Sequence, residues 1–121
     1  MKKIVIDLDG TITIDEPELK YPEKRANTEV IAKLNQARSS GFYIIIHTAR
    51  NMRTYSGDIE LIKNNTLPVI IKWLEENEVP YDEIIIGKPF CGEAGFYVDN
   101  KSIRPSEFIQ YDFEKINSIL E

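Results

Sequence analysis

The chain has a single cysteine, Cys91, so no internal disulfide can form and a reducing, cytoplasmic compartment is expected. Its longest apolar runs, such as "FYIII" at 42–46, are far too short to cross a bilayer, and the N-terminal run meets aspartates before any signal-peptide core could form. The expectation is a soluble, unexported protein with no membrane partner. Positive charge is also scarce: 15 Lys and Arg stand against 20 Asp and Glu, a net charge of -5. That balance argues against a non-specific nucleic-acid or anionic-membrane binder, which needs a basic surface. There is no internal repeat and no low-complexity segment. "GKP" at 87–89 lacks the upstream Gly and the following Ser or Thr of a phosphate-binding loop, and "CGEAGF" lacks the dinucleotide pattern. The 121 residues, 42% of them hydrophobic, suffice for one domain with a proper core, and 1–121 reads as that single domain.

Within that frame, short β-rich runs alternate with longer helical ones. This is the pattern of a three-layer α/β domain, Rossmann-like, with a mainly parallel central sheet. "KKIVIDL" at 2–8 predicts a first strand, and Asn27 or Thr28 can cap a helix carrying Val30, Ile31, Leu34 and Ala37 that ends near Gly41. "FYIIIHT" at 42–48 is unbroken enough to be a strand buried on both faces. A polar segment, "ARNMRTYSGD", leads to helical pattern from about Ile59, with Pro68 starting or interrupting the helix of Val69, Ile70, Trp73 and Leu74. "YDEIIIG" predicts strand three and "GFYVDN" strand four. The run 105–121 predicts a closing helix, with Phe108, Phe113, Ile116 and Leu120 able to pack on the sheet.

Polar residues gather where these strands end. Asp7 and Asp9 close strand one, Thr48 and Arg50 follow strand two, Lys88 follows strand three, and Asp99 with Asn100 closes strand four. In a parallel α/β sheet all those ends face one crevice, where ligands bind. Asp7 and Asp9 fall on one face of an extended chain, roughly 6–7 Å apart. Like charges so placed repel unless a cation sits nearby. "DG" followed by "TITI" also reads as a hairpin, but that reading leaves the other three strand ends unexplained. Three carboxylates at one rim make an oxygen cage suited to Mg²⁺, which binds through one or two carboxylates plus substrate phosphate. Thr48 and Lys88 suit the oxygens of a phosphoryl group in flight. One aspartate can serve as nucleophile through an aspartyl phosphate, while a second protonates the leaving oxygen and then activates water.

The motifs "DLDGT" at 7–11, "HTAR" at 47–50, "GKP" at 87–89 and "YVDN" at 97–100 resemble, in order and spacing, the four motifs of haloacid dehalogenase superfamily phosphatases. The resemblance spans nearly the whole chain and implies a Mg²⁺-dependent phosphatase. It assigns Asp7 as nucleophile and metal ligand, and Asp9 as general acid and base whose main-chain carbonyl also meets the metal. Thr48 would bond the phosphoryl group, Lys88 would stabilise its charge, and Asp99 would hold the metal. Gly10, Arg50 and Asn51 are the candidate substrate contacts. Asn100 stands where many members carry a second acid, and neither inter-motif segment is long enough for a cap domain, so the chain resembles the capless class. "TARNMRTYSGD", "GKPFCG" and "FYVDNKSIRPSEF" resemble the small capsule-biosynthesis phosphatase-like proteins in particular.

The substrate implied is a small phosphorylated metabolite, such as a sugar phosphate or polysaccharide precursor. A phosphatase for nucleotides or nucleic-acid ends is the enzyme alternative, lowered by the acidic balance. A phospho-acceptor switch is the non-enzymatic one. Receiver domains, however, place their acceptor aspartate on the third strand, and "YDEIIIGK" ends without one. His47 reads as a satisfied strand-end residue and Cys91 as an inert thiol. A capless site open to water needs covering, for which the segment 51–66, or a second copy of the chain in a homo-oligomer, is the candidate.

Overall fold

The computed structural model describes residues 2–120, which group into two compact units, Met1–Phe90 and Cys91–Glu121. In the first, β1 (Lys3–Ile6), α1 (Thr28–Ser39), β2 (Tyr43–Thr48), α2 (Ile59–Asn65), α3 (Leu67–Glu76) and β3 (Glu83–Ile86) follow in order. The strands form a parallel sheet, β1-β2-β3, flanked by helices. Ile4 pairs with Ile44, and Ile46 with Ile84. The unbroken apolar run of β2 is explained by its central place: Ile44, Ile45 and Ile46 are all buried, and Val30, Leu34, Ile62, Ile70 and Leu74 from the helices complete the core.

Local chemistry sets the boundaries. Asn27 Oδ1 accepts from Val30 N and caps α1, and Asp58 Oδ1 accepts from Leu61 N and caps α2. Pro68 falls in the first turn of α3, where its missing N–H leaves no helical bond unmade. Asp82 pins the entry to β3 by accepting Ile44 N at 2.7 Å and Arg38 Nη2 at 2.9 Å.

Two strand expectations need correction. Strand one stops at Ile6, so alternation along a strand does not orient Asp7 and Asp9; a tight turn does. The hairpin alternative, set aside above, does not form: the residues after Gly10 make no return strand against β1. Thr13 instead forms an antiparallel bridge with Ala26, with Ile12 O accepting from Asn27 N and Ile14 N donating to Arg25 O. "GFYVDN" belongs to no strand: Phe96 and Val98 are 80% and 86% exposed. A β-rich sequence becomes a strand only through a ladder, which these residues do not join.

The second unit contains α4 (Pro105–Gln110) and α5 (Phe113–Ile119) in place of one closing helix. Tyr111 is extended, and Asp112 Oδ1 accepts from Lys115 N to start α5 afresh. Phe108 is buried, as the pattern anticipated, whereas Phe113, Ile116 and Leu120 are half-buried. Glu121 lies outside the described residues.

Candidate active site

The chain leaves β1 into a turn organised by one carbonyl. Leu8 O accepts from the backbone N–H groups of Thr11, Ile12 and Thr13, and the Leu8, Ile12 and Thr13 side chains are buried beneath. Gly10, at φ +77°, takes the left-handed conformation that this turn requires, and its N–H donates to Thr13 Oγ1 at 3.1 Å. The effect is to fix Asp7 and Asp9 at the carboxyl end of the sheet.

Asp7 is half-buried. Its Oδ2 accepts from Thr11 Oγ1 at 3.3 Å, and its Oδ1 lies 3.7 Å from Lys88 Nζ. Burial pushes the Asp7 carboxyl up from the ordinary carboxylate range. Lys88 and the Leu8 backbone pull it down, and the neighbouring Asp9 charge adds to the rise. Lys88 reaches this position because Gly87, at φ +85°, turns the chain sharply after β3. A side chain there would also collide with Ile59, whose Cδ1 would stand 2.6 Å from the added β-carbon. The Lys88 N–H donates to Thr48 O, which ties the two strand ends together.

Thr48 is fully buried and its Oγ1 accepts from Arg50 N at 3.1 Å, leaving its hydroxyl proton to donate. His47 is held toward its neutral form, first by burial and then by Lys88, with Asp7 opposing.

Arg50 makes the site's strongest pairing. Its Nη2 and Nε donate to the two oxygens of Asp9 at 2.8 Å and 3.0 Å, a bidentate fork. The guanidinium is 4.1 Å from the centre of the Tyr21 ring, and Arg50 as a whole is only 4% exposed. Its third nitrogen, Nη1, is buried with no hydrogen-bond partner among the described residues. Asn51, expected as a substrate contact, has φ +61° and is tied to the α2–α3 corner, its Oδ1 accepting from Thr66 Oγ1 at 2.7 Å. Tyr21 was not singled out by sequence reasoning, because nothing in "LKYPEK" distinguishes it from an ordinary turn aromatic.

Asp99 belongs to the second unit, where it is exposed and its Oδ1 accepts from Lys101 N at 2.7 Å. Among the described residues no three His, Cys, Asp or Glu side chains gather closely enough to hold a metal ion by themselves. The carboxylate of Asp7 and the main-chain carbonyl of Asp9 are nonetheless hard oxygen donors of the kind Mg²⁺ prefers, and the unfavourable burial of Asp7 is what a cation would relieve.

No family model matches the chain, and no curated protein does. Among solved structures, a Vibrio cholerae protein known by a target designation is 46% identical, with 98% of this chain and 95% of that one covered and a TM-score of 0.93. A chain of the Pnkp1/Rnl/Hen1 complex is 22% identical, with 91% of this chain and 34% of that one covered and a TM-score of 0.55. The D,D-heptose 1,7-bisphosphate phosphatase of B. bronchiseptica, solved with magnesium and phosphate, is 16% identical, with 84% and 57% covered and a TM-score of 0.50. The last two likenesses establish fold alone. At 46% identity over nearly its whole length, this chain belongs to one family with the Vibrio cholerae protein, and it is built on the haloacid dehalogenase-like fold without an inserted cap among the described residues.

Proposed function

We propose that the protein is a Mg²⁺-dependent phosphatase of the haloacid dehalogenase type, acting on a small phosphorylated metabolite. The observation that carries this reading is the Asp7 carboxylate at the end of β1, with Lys88 Nζ 3.7 Å away and Asp9 held two residues on by a bidentate arginine. The fold likeness to a phosphatase solved with magnesium and phosphate supports it. The capsule-biosynthesis resemblance and the sugar-phosphate class rest on the sequence motifs.

Asp7 would hold the metal together with the Asp9 main-chain carbonyl, and the motif resemblance adds Asp99. The cation, when bound, supplies charge neutralisation for the phosphoryl oxygens. The chain's own residues supply the rest. An Asp7 oxygen attacks phosphorus and the bond to the leaving oxygen breaks, with Asp9 giving that oxygen a proton, a role for which one of its two arginine-bonded oxygens must first leave the fork and take up a proton. Water then attacks the aspartyl phosphate, Asp9 takes the proton, and inorganic phosphate leaves with Asp7 restored. Lys88 and the Thr48 hydroxyl stabilise the equatorial oxygens in both halves.

The nucleic-acid-end reading draws on the likeness to a chain of an RNA repair complex, and the net charge of -5 weighs against it. A panel of phosphate esters assayed with Mg²⁺, with EDTA and with Asp7→Asn tests the proposal. Turnover should vanish in the last two, and full activity in either would overturn the metal or nucleophile assignment.

A further inference from the structure

We infer that the cavity beside Arg50 is a subsite for a second anionic group, a phosphate or carboxylate, on the leaving-group side of the substrate. This deepens the phosphatase reading and rests on it for the word substrate. The cavity measures about 520 Å³, room for a small ligand group, and lies entirely within the first unit. Lys20, Lys24 and Arg50 all line it, with Tyr21, Asn51 and Thr66, and its lining includes no carboxylate. In a chain with five more acidic than basic residues, a hollow lined by Lys20, Lys24 and the Asp9-paired Arg50, with no carboxylate in its own lining, carries a local excess of positive charge.

The second observation is the unpartnered Nη1 of Arg50. A buried guanidinium N–H without an acceptor is costly, and none of the described residues accepts from Nη1, which leaves it free to bond an acceptor from outside the chain. The other two guanidinium nitrogens are committed to Asp9, and the planar face to Tyr21. One edge of the guanidinium is thus committed to Asp9, and Nη1, on a residue that lines the cavity, is the nitrogen left for a ligand in the proposed subsite. Because Asp9 is assigned to protonate the leaving oxygen, an anion seated against the same arginine belongs to the leaving group. Its arrival would also orient that group toward Asp9, an effect worth more in the transition state than in simple binding.

Binding to Asp7→Asn by titration calorimetry, in Mg²⁺ buffer, separates this inference from the activity on which it rests. The probes are 1,3-propanediol bisphosphate and propyl phosphate, which share a scissile phosphate and a three-carbon chain. The bisphosphate should bind about tenfold more tightly or better, the value of one charge-assisted contact. Lys20→Ala combined with Lys24→Ala should erase most of that difference, whereas Lys2→Ala, whose Nζ bonds Ser40 O at the opposite end of β1, should leave it intact. A difference no larger than the about twofold statistical advantage of two equivalent ends, or one that Lys2→Ala abolishes equally, overturns the subsite. Propyl phosphate turnover by the wild-type protein is the separate measurement of the phosphatase reading, and its failure would leave the calorimetric ratio standing.

Discussion

Replacing Arg50 with Gln keeps most of the stem and removes the fork that grips Asp9. At the shorter distance of 2.8 Å the gross attraction is roughly 6 kcal/mol at an effective dielectric of about 20. Desolvating a guanidinium that is 1% exposed offsets much of this. Removing one partner of a fully buried pair costs about 3–5 kcal/mol, but the Asp9 side chain is 28% exposed and water can take over part of its solvation, which places the loss nearer 2–3 kcal/mol. With an unfolding entropy of about 2.1 cal/mol/K per residue over 121 residues, Tm should fall by about 8–12 °C. Thermal unfolding followed by circular dichroism reads this directly. A double-mutant cycle with Asp9→Asn should give a coupling of about 1.5 kcal/mol or more, since the two side chains touch. A fall of less than about 3 °C, or strict additivity in the cycle, would refute the role given to the fork.

Asp7→Asn should abolish turnover without unfolding the protein. Because burial raises the Asp7 carboxyl above its ordinary 3.8, its favourable contribution exists at low pH and is lost as pH rises through the raised value. Metal-free Asp7→Asn should therefore melt at or above wild type at pH 7, with the difference closing as the pH falls toward 3.8, and a lower melting point at pH 7 would contradict the burial argument. Asp9→Asn should lose most turnover of alkyl phosphates and less with nitrophenyl phosphate, whose leaving group needs no proton; equal losses would remove the acid role. Arg53→Ala with Tyr55→Ala should raise KM or reorder the ester panel if 51–66 covers the site, and unchanged kinetics would return that segment to a surface connection.

Much of the first unit was legible because its signals are local. Asn27 as a cap, the apolar run of β2, Pro68 in a first helical turn and the strand-end placing of Asp7, Thr48 and Lys88 all follow from residue type and spacing. The Arg50–Asp9 fork and the Tyr21 stack were not legible, since each joins segments distant in sequence and leaves no periodic trace. "GFYVDN" misled because β propensity records a fit to a pleated surface that another strand must supply. The split between α4 and α5 did have a signal, an aspartate at 112 that could cap, but apolar periodicity ran through it and masked the break.

The central claim is that Asp7 becomes phosphorylated and is then rapidly released. Acid-quenching the protein milliseconds after mixing it with a hydrolysed ester and Mg²⁺, followed by peptide mass spectrometry, tests it most directly. The account predicts a phosphoryl group on the peptide containing Asp7, absent in Asp7→Asn and decaying as inorganic phosphate appears. Turnover with no label on that peptide would contradict the covalent mechanism, and a label stable for minutes without phosphate release would make the protein a phospho-acceptor switch instead.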